Sequence, residues 1–377
     1  MAPNNAGPLS ARLRLFLSVD IVGSTAFKQT NQAAFKSDEK SISRIAEPWF
    51  SPIAEFYREI ERLFSQEWSI YAETVAKKFD WPVGEPPELW KSAGDELLYI
   101  KLLRDHREAL ACLHCWIRSV ATFRVALRTK YPSLDVKSTA WIAGFPITNT
   151  EVIFNSSLDY SDGPLNDDDT IFSNLALLHK YYENGSSLTM RRDFIGPSID
   201  AGFRLCALAT PRKLIIAVDL ALMLVHAVRG SPPELGLDEL EIRYEGRQHL
   251  KGVLGGLGYP VFWVDMAKSS ALERAEDTLL DQKSRNTDEI KKFCEQFFLE
   301  HKGNIIIPYI EGSEDTYFST IPPNHRARLK VLEDYWRNEG GRREIERASP
   351  DQDGQGMKIE PETANQVVEE MLRRDKP

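Results

Sequence analysis

The run from Leu15 to Thr25 constrains this chain more than any other stretch, because it carries an apolar strand into a carboxylate and then into a turn of small residues. It reads Leu15-Phe16-Leu17-Ser18-Val19-Asp20-Ile21-Val22-Gly23-Ser24-Thr25. Mg²⁺ and Mn²⁺ are usually held by one or two protein carboxylates while phosphate oxygens and water complete the shell. Gly23 lets backbone approach a phosphate closely, and Ser24 or Thr25 can cap the helix that follows. A second carboxylate stands in a similar setting, where Lys91-Ser92-Ala93-Gly94-Asp95 leads into the strand-like Glu96-Leu97-Leu98-Tyr99-Ile100. Either aspartate alone reads as a cap or turn residue. Two aspartates at strand ends can share hard cations.

The periodic segments around these motifs alternate. The pattern predicts a strand over Arg12 to Val19, a helix over Ser41 to Phe64, a hairpin over Thr74 to Lys101 and a helix over His106 to Thr129. It continues with a strand over Val136 to Phe145, a polar insertion, a helix over Ile199 to Ala209, a strand and helix over Leu214 to Val228, and a closing hairpin over Ile242 to Val264. Such alternation argues for an α/β (α+β) fold with helices packed on a mostly antiparallel sheet. Beyond Met266 the pattern changes to a helix over Thr287 to His301, a short strand over Asn304 to Ile310 and a charged helix over Arg326 to Arg347. The expected division is a main domain over 1–266, a mainly helical C-terminal extension over 267–347, and a mobile tail rich in charge, Gly and Pro over 348–377.

At 377 residues with 42% hydrophobic residues, the chain can bury a full core. Its net charge is −9 and no Lys/Arg block dominates, so a nucleic-acid footprint is not expected. Cys112, Cys115, Cys206 and Cys294 form no disulfide framework, and Cys112-Leu113-His114-Cys115 lacks the second pair of a zinc site, so core packing is expected there. No secretory pattern is visible, and the longest apolar run, Leu214 to Val228, is interrupted by Asp219 and His226, so no membrane association and a cytoplasmic location are expected.

Four ordered segments, covering about residues 12 to 266, make the chain resemble the class III nucleotidyl cyclase catalytic domain. The Asp20 turn is like the family's Asp-Ile-x-Gly-(Phe/Ser)-Thr, and Lys91-x-x-Gly94-Asp95 is like its Lys-x-x-Gly-Asp hairpin. The run Asp193-Phe194-Ile195-Gly196-Pro197-Ser198-Ile199-Asp200-Ala201-Gly202-Phe203-Arg204 is like its Asp-x-Trp-Gly-x-x-Val-Asn-x-Ala-x-Arg, with Ile195 in place of Trp and Asp200 in place of Asn. Leu250-Lys251-Gly252-Val253 and Tyr259 to Val264 are like its closing Leu-Lys-Gly hairpin. The long aromatic-rich span before Asp95 and the polar insertion at Asp159 to Asp169 look most like the bacterial antiphage pyrimidine cyclases.

The resemblance implies a ferredoxin-like core and a homodimer with its sites at the interface. It implies that Asp20, Asp95 and the Ile21 carbonyl hold two divalent cations, Mn²⁺ or Mg²⁺, and that Arg204 from the other subunit meets the charge on the α-phosphate. Val22, Gly23, Ser24 and Thr25 would cradle phosphates, Lys251 would hold the terminal ones, Asp200 would stand at the ribose position, and Lys91 and Asp193 at the positions that read the base edge. Phe16 would line the same pocket. Trp49 or Phe50 could stack on a base, although core packing suits their helical pattern better. The expected reaction is UTP to cyclic UMP and pyrophosphate, with the product read by a separate effector. Alternatives are a cytidylate cyclase, an adenylate or guanylate cyclase, and a catalytically silent nucleotide-sensing module. A diguanylate cyclase is disfavoured, since no Gly-Gly-(Asp/Glu)-Glu-Phe run occurs.

Overall fold

The structure is a computed structural model that describes residues 7–33, 40, 45–155, 167–184, 189–229, 231, 240–266 and 270–348. By packing, the chain separates into two compact units, each discontinuous in sequence. One comprises Arg12–Gly144 and Pro197–Thr320; the other takes its described residues from Met1–Ala11, Phe145–Gly196 and Ile321–Pro377.

The larger unit is built on a seven-stranded sheet in the order β2-β3-β1-β4-β7-β9-β8. Its strands are β1 (Arg12–Val22), β2 (Glu88–Ala93), β3 (Glu96–Leu103), β4 (Asp135–Phe145), β7 (Lys213–Ile216), β8 (Ile242–His249) and β9 (Gly258–Asp265). Helix α2 (Phe50–Ile70) lies between β1 and β2 in sequence, and α3 (Arg107–Lys130) between β3 and β4. With the spatial order 4-1-3-2 for the first four strands, this is the ferredoxin-like arrangement. β1 with β3, β2 with β3, β7 with β9 and β8 with β9 pair antiparallel, and β4 with β7 pairs parallel. The expected fold class is therefore observed.

The two faces of β1 do different work. In register with Tyr99, Leu17 points to the helical side, where the Phe64 ring of α2 meets Tyr99 at 5.4 Å and Trp116 of α3 at 4.8 Å. Helix α6 (Val218–Arg229) packs on α3, and α8 (Thr287–Glu300) packs on α6. On the opposite face Phe16 stacks on Trp141 with centroids 5.4 Å apart and planes 9° apart. Helix α5 (Pro197–Cys206) is laid over that pair, opened by a proline whose fixed φ suits a first helical position. Close seating depends on Gly202, since a Cβ there would lie 2.3 Å from the Trp141 ring. Full burial of a side chain such as Phe16 or Phe64 stabilises by about 1.5–3 kcal/mol.

The smaller unit holds a two-stranded antiparallel sheet, β5 (Thr150–Asn155) with β6 (Met190–Ile195), and the helices α4 (Asp167–Asn184) and α9 (Pro323–Ala348). Its core joins Leu9, Ile153, Phe172, Leu175, Leu178, Met190 and Trp336. Trp336 of α9 stacks on Phe172 at 5.1 Å and on His179 at 4.3 Å, and Leu332 and Tyr335 of the same charged helix pack beside it.

Several expectations need correction. Thr74 to Phe79 is not strand: α2 runs on through a π-helical stretch, Tyr71–Ala76, whose Tyr71 and Ala76 are buried, and only then does the chain reach the hairpin. Asn304 to Ile310 forms no strand. Its Ile305 and Ile310 amides donate to His301 and Phe318 carbonyls, so the backbone is satisfied locally and by a loop. The insertion contains α4 from Asp167 onward, and its Asp159 to Asn166 portion lies outside the described residues, as do 349–377 and the start of the Ser41 helix. Phe50 opens α2 with 53% exposure, so it is not a core residue. Cys112 and Cys115 are buried in α3, as expected. Among the described residues α3 is the one helix long and apolar enough to cross a membrane, and over half of it is buried in the core.

Candidate active site

β1 and the β2–β3 hairpin bring the two candidate carboxylates to the same end of the sheet. Asp20 is in register with Glu96, and the next amide, Ile21 N–H, donates to the Asp95 carbonyl at 3.2 Å. Asp95 sits in the tight turn between β2 and β3. That turn is pinned from α2 by the Tyr57 hydroxyl, which donates to the Gly94 carbonyl at 2.6 Å. After β1 the chain turns at Gly23 (φ 85°) into the short helix α1 (Ser24–Thr30). Only glycine suits that position, because a Cβ would also lie 2.7 Å from the Ser133 carbonyl oxygen.

Each carboxylate has a lysine. Lys137 Nζ of β4 lies 3.3 Å from Asp20 Oδ2, and Lys28 Nζ of α1 lies 3.3 Å from Asp95 Oδ1. The Ser24 hydroxyl donates to the other Asp95 oxygen, Oδ2. Ser24 therefore does not cap α1 as the sequence suggests: the cap position is Gly23, which has no side chain to offer, and the hydroxyl is spent on Asp95. Burial raises the Asp20 carboxyl above the usual range, against the Lys137 ammonium and the Ile21 amide, and the nearby Asp95 charge adds to the rise.

Beside Asp20 opens a cleft of about 160 Å³ lined chiefly by Ser18, Glu96, Lys137, Thr139 and Cys206. Ser18 Oγ donates to Glu96 Oε1 at 2.8 Å. Burial also lifts the Glu96 carboxyl above its usual range, opposed by the Ser18 bond and assisted by the Asp20 charge. Burial pushes the Cys206 thiol up to about 11, so it stays protonated at neutral pH.

The donor set suits a hard divalent cation. It is two half-open carboxylates, with side-chain exposures of 29% for Asp20 and 24% for Asp95, close enough for one to perturb the other. No group of three His, Cys, Asp or Glu converges among the described residues. Any cation held here would thus take most of its shell from water and substrate oxygens, which fits Mg²⁺ or Mn²⁺.

The other expected site residues are placed as follows. Ile21 is buried, with its amide committed to Asp95. Val22 is half-buried, and Thr25 is exposed at the start of α1. Lys91 of β2 lies over the Trp90 ring at 4.0 Å and the Phe203 ring at 5.7 Å. Arg204 and Asp200 are exposed on α5, and among the described residues the Arg204 guanidinium makes no ion pair. Lys251 is exposed in the turn after β8, just before Gly252 (φ 79°). Asp193 belongs to the smaller unit, on β6 opposite Val152, where its Oδ1 accepts from the Phe194 amide at 2.9 Å. Phe16 does not line an open pocket: its ring is 0% exposed, packed against Trp141 and edge-on to Trp90, because strand alternation turns it under α5.

Sequence reasoning missed Lys28, Lys137, Ser18 and Glu96. Glu96 directly follows Asp95, and Ser18 and Asp20 share one face of a strand by simple alternation, so both were accessible signals. Lys28 follows the Asp20 motif by one helical turn but pairs with Asp95, and Lys137 comes from β4, so neither pairing carries a local signature.

No protein-family model matches this chain, and no curated protein matches it. Among solved structures it is similar to the adenylyl cyclase CyaB from P. aeruginosa, with a TM-score of 0.40 and 14% identity over 70% of this chain and 97% of that one. It is also similar to the guanylyl cyclase Cya2, with a TM-score of 0.36 and 11% identity over 70% of this chain and 95% of that one. A third is the guanylate cyclase domain of RhGC from Catenaria anguillulae in complex with GTP, with a TM-score of 0.33 and 13% identity over 68% of this chain and 97% of that one.

Proposed function

We propose that this chain is a class III nucleotidyl cyclase that converts UTP to 3′,5′-cyclic UMP and pyrophosphate. Its product would serve as a second messenger in antiphage defence, read by a separate cyclic-nucleotide-binding effector. The observation that carries the reading is the meeting of Asp20 and Asp95, from two separate motifs, at one end of a ferredoxin-like sheet.

Asp20 and Asp95, with the Ile21 carbonyl, would hold two divalent cations, Mn²⁺ or Mg²⁺. When bound, such ions neutralise triphosphate charge and make the ribose 3′-hydroxyl more acidic. The chain's own residues do the rest. Gly23 keeps the turn open to phosphate oxygens. The exposed Arg204, supplied by the other subunit of a homodimer, offers a fork of donors to the charge that develops as the 3′-oxygen bonds to the α-phosphorus and pyrophosphate departs. Lys251 would hold the terminal phosphates, and Asp200 stands where the ribose would be oriented.

Base choice is assigned in part to Lys91, a donor held over Trp90 and Phe203, which would donate to uracil O4. A wrong edge leaves such groups unpaired, at about 1–3 kcal/mol each. The test is competition of the four ribonucleoside triphosphates at equal concentration in Mn²⁺, with products resolved by mass. Cyclic UMP should dominate. Dominant cyclic CMP would keep the family and change the base, dominant cyclic AMP or GMP would overturn the pyrimidine reading, and no cyclic product would leave a nucleotide-binding module. The shared site has its own check: mixing inactive Asp95→Ala with inactive Arg204→Ala should restore activity once subunits exchange.

A further inference from the structure

We propose that Lys28 is a resident counter-cation of Asp95, which a divalent cation must displace, so that this lysine sets how tightly the site takes metal. The proposal rests on the reading of Asp20 and Asp95 as metal carboxylates.

Three features of the geometry point this way. First, α1 engages both oxygens of Asp95: Ser24 donates to Oδ2, and Lys28, one turn on, sits 3.3 Å from Oδ1. A hydroxyl leaves a carboxylate free to ligate through its remaining lone pairs, whereas an ammonium at the second oxygen repels an incoming dication. Second, the pair is half-open, with side-chain exposures of 32% for Lys28 and 24% for Asp95. A compact charge on a flexible four-carbon stem can therefore leave for water without being stranded. Third, among the described residues Asp95 is the only acid paired with Lys28, so nothing else retains it. Since Lys137 stands against Asp20 in the same manner, the metal-free carboxylates are already balanced by two lysines. Metal uptake is then an exchange of cations rather than the filling of an uncompensated negative site.

The test is Mn²⁺ binding without nucleotide, followed by calorimetry and by the free-Mn²⁺ spin-resonance signal, in the full chain. Lys28→Met should bind Mn²⁺ about three- to tenfold tighter than wild type, the range expected when a partly exposed ion pair no longer competes. Lys28→Arg, which keeps the charge, should stay near wild type, and Lys28→Gln provides a second neutral variant should the methionine disturb folding. Asp95→Asn should lose most of the binding. If both neutral variants bind Mn²⁺ no tighter than wild type while Asp95→Asn is weakened, the counter-cation role is overturned and the metal reading stands. If Asp95→Asn binds like wild type, the metal reading fails and this inference falls with it.

Discussion

Two of the lysine–carboxylate arrangements around the seven-stranded sheet are built to opposite ends. At Lys101 the ammonium is 0% exposed, 2.9 Å from the Glu108 carboxylate, and it also donates to the carbonyls of Val83 at 2.9 Å and Glu85 at 2.6 Å while lying over the Trp68 ring. The charge is met wholly inside the protein. At Asp20 and Asp95 the lysines are 27% and 32% exposed, and each meets its carboxylate at the longer distance of 3.3 Å. The first arrangement clamps the loop before β2 to the start of α3 and cannot exchange its cation. The second is open to water, and that difference separates a buried strut from the proposed cation site.

The largest effect should come from breaking the strut. Lys101→Met leaves Glu108, 2% exposed, as a buried charge without its counter-ion, a change that costs about 3–5 kcal/mol. Denaturant unfolding should show that loss, whereas Lys137→Met or Lys28→Met should cost no more than about 1 kcal/mol. Equal losses at both places would erase the distinction.

A smaller effect sharpens the site half of the comparison. Glu96 is held above the ordinary carboxylate range, chiefly by burial. The folded state therefore binds this proton more tightly than the unfolded chain does. Its contribution to stability is favourable at low pH and is lost as pH rises from the ordinary glutamate value through the raised folded value. In metal-free buffer, Glu96→Gln should melt slightly above wild type at neutral pH, with the advantage vanishing in acid. A lower melting temperature for the glutamine variant at neutral pH would contradict this.

The same contrast explains what was legible in the sequence. β1, β3 and β4 are largely buried strands, and the Asp20 and Asp95 turns follow from their ends, so an α/β fold with a mostly antiparallel sheet and its two carboxylates could be read from the pattern, while the ferredoxin-like order came only from the resemblance. The smaller unit could not. α4 opens on three aspartates that resemble loop composition, although Phe172, Leu175 and Leu178 carry a helical spacing that a closer reading would have caught. Lys28 and Lys137 lay beyond reach, because a cation recruited from another element is fixed by tertiary packing alone. Phe16 misled for a related reason: a strand-end aromatic beside a site reads as pocket lining until the helix that covers it is in place.

We have proposed the half-open pair, Asp20 and Asp95, as the catalytic cation site of a nucleotide cyclase. Turnover of UTP in Mn²⁺, measured as cyclic UMP and pyrophosphate for wild type beside Asp20→Ala and Asp95→Ala, tests it most directly. Wild type should give stoichiometric cyclic product and each variant should lose about 10³-fold or more, on the scale of removing a principal electrostatic group from an active site, with both variants still folded by circular dichroism. Near wild-type turnover in either folded variant would contradict it.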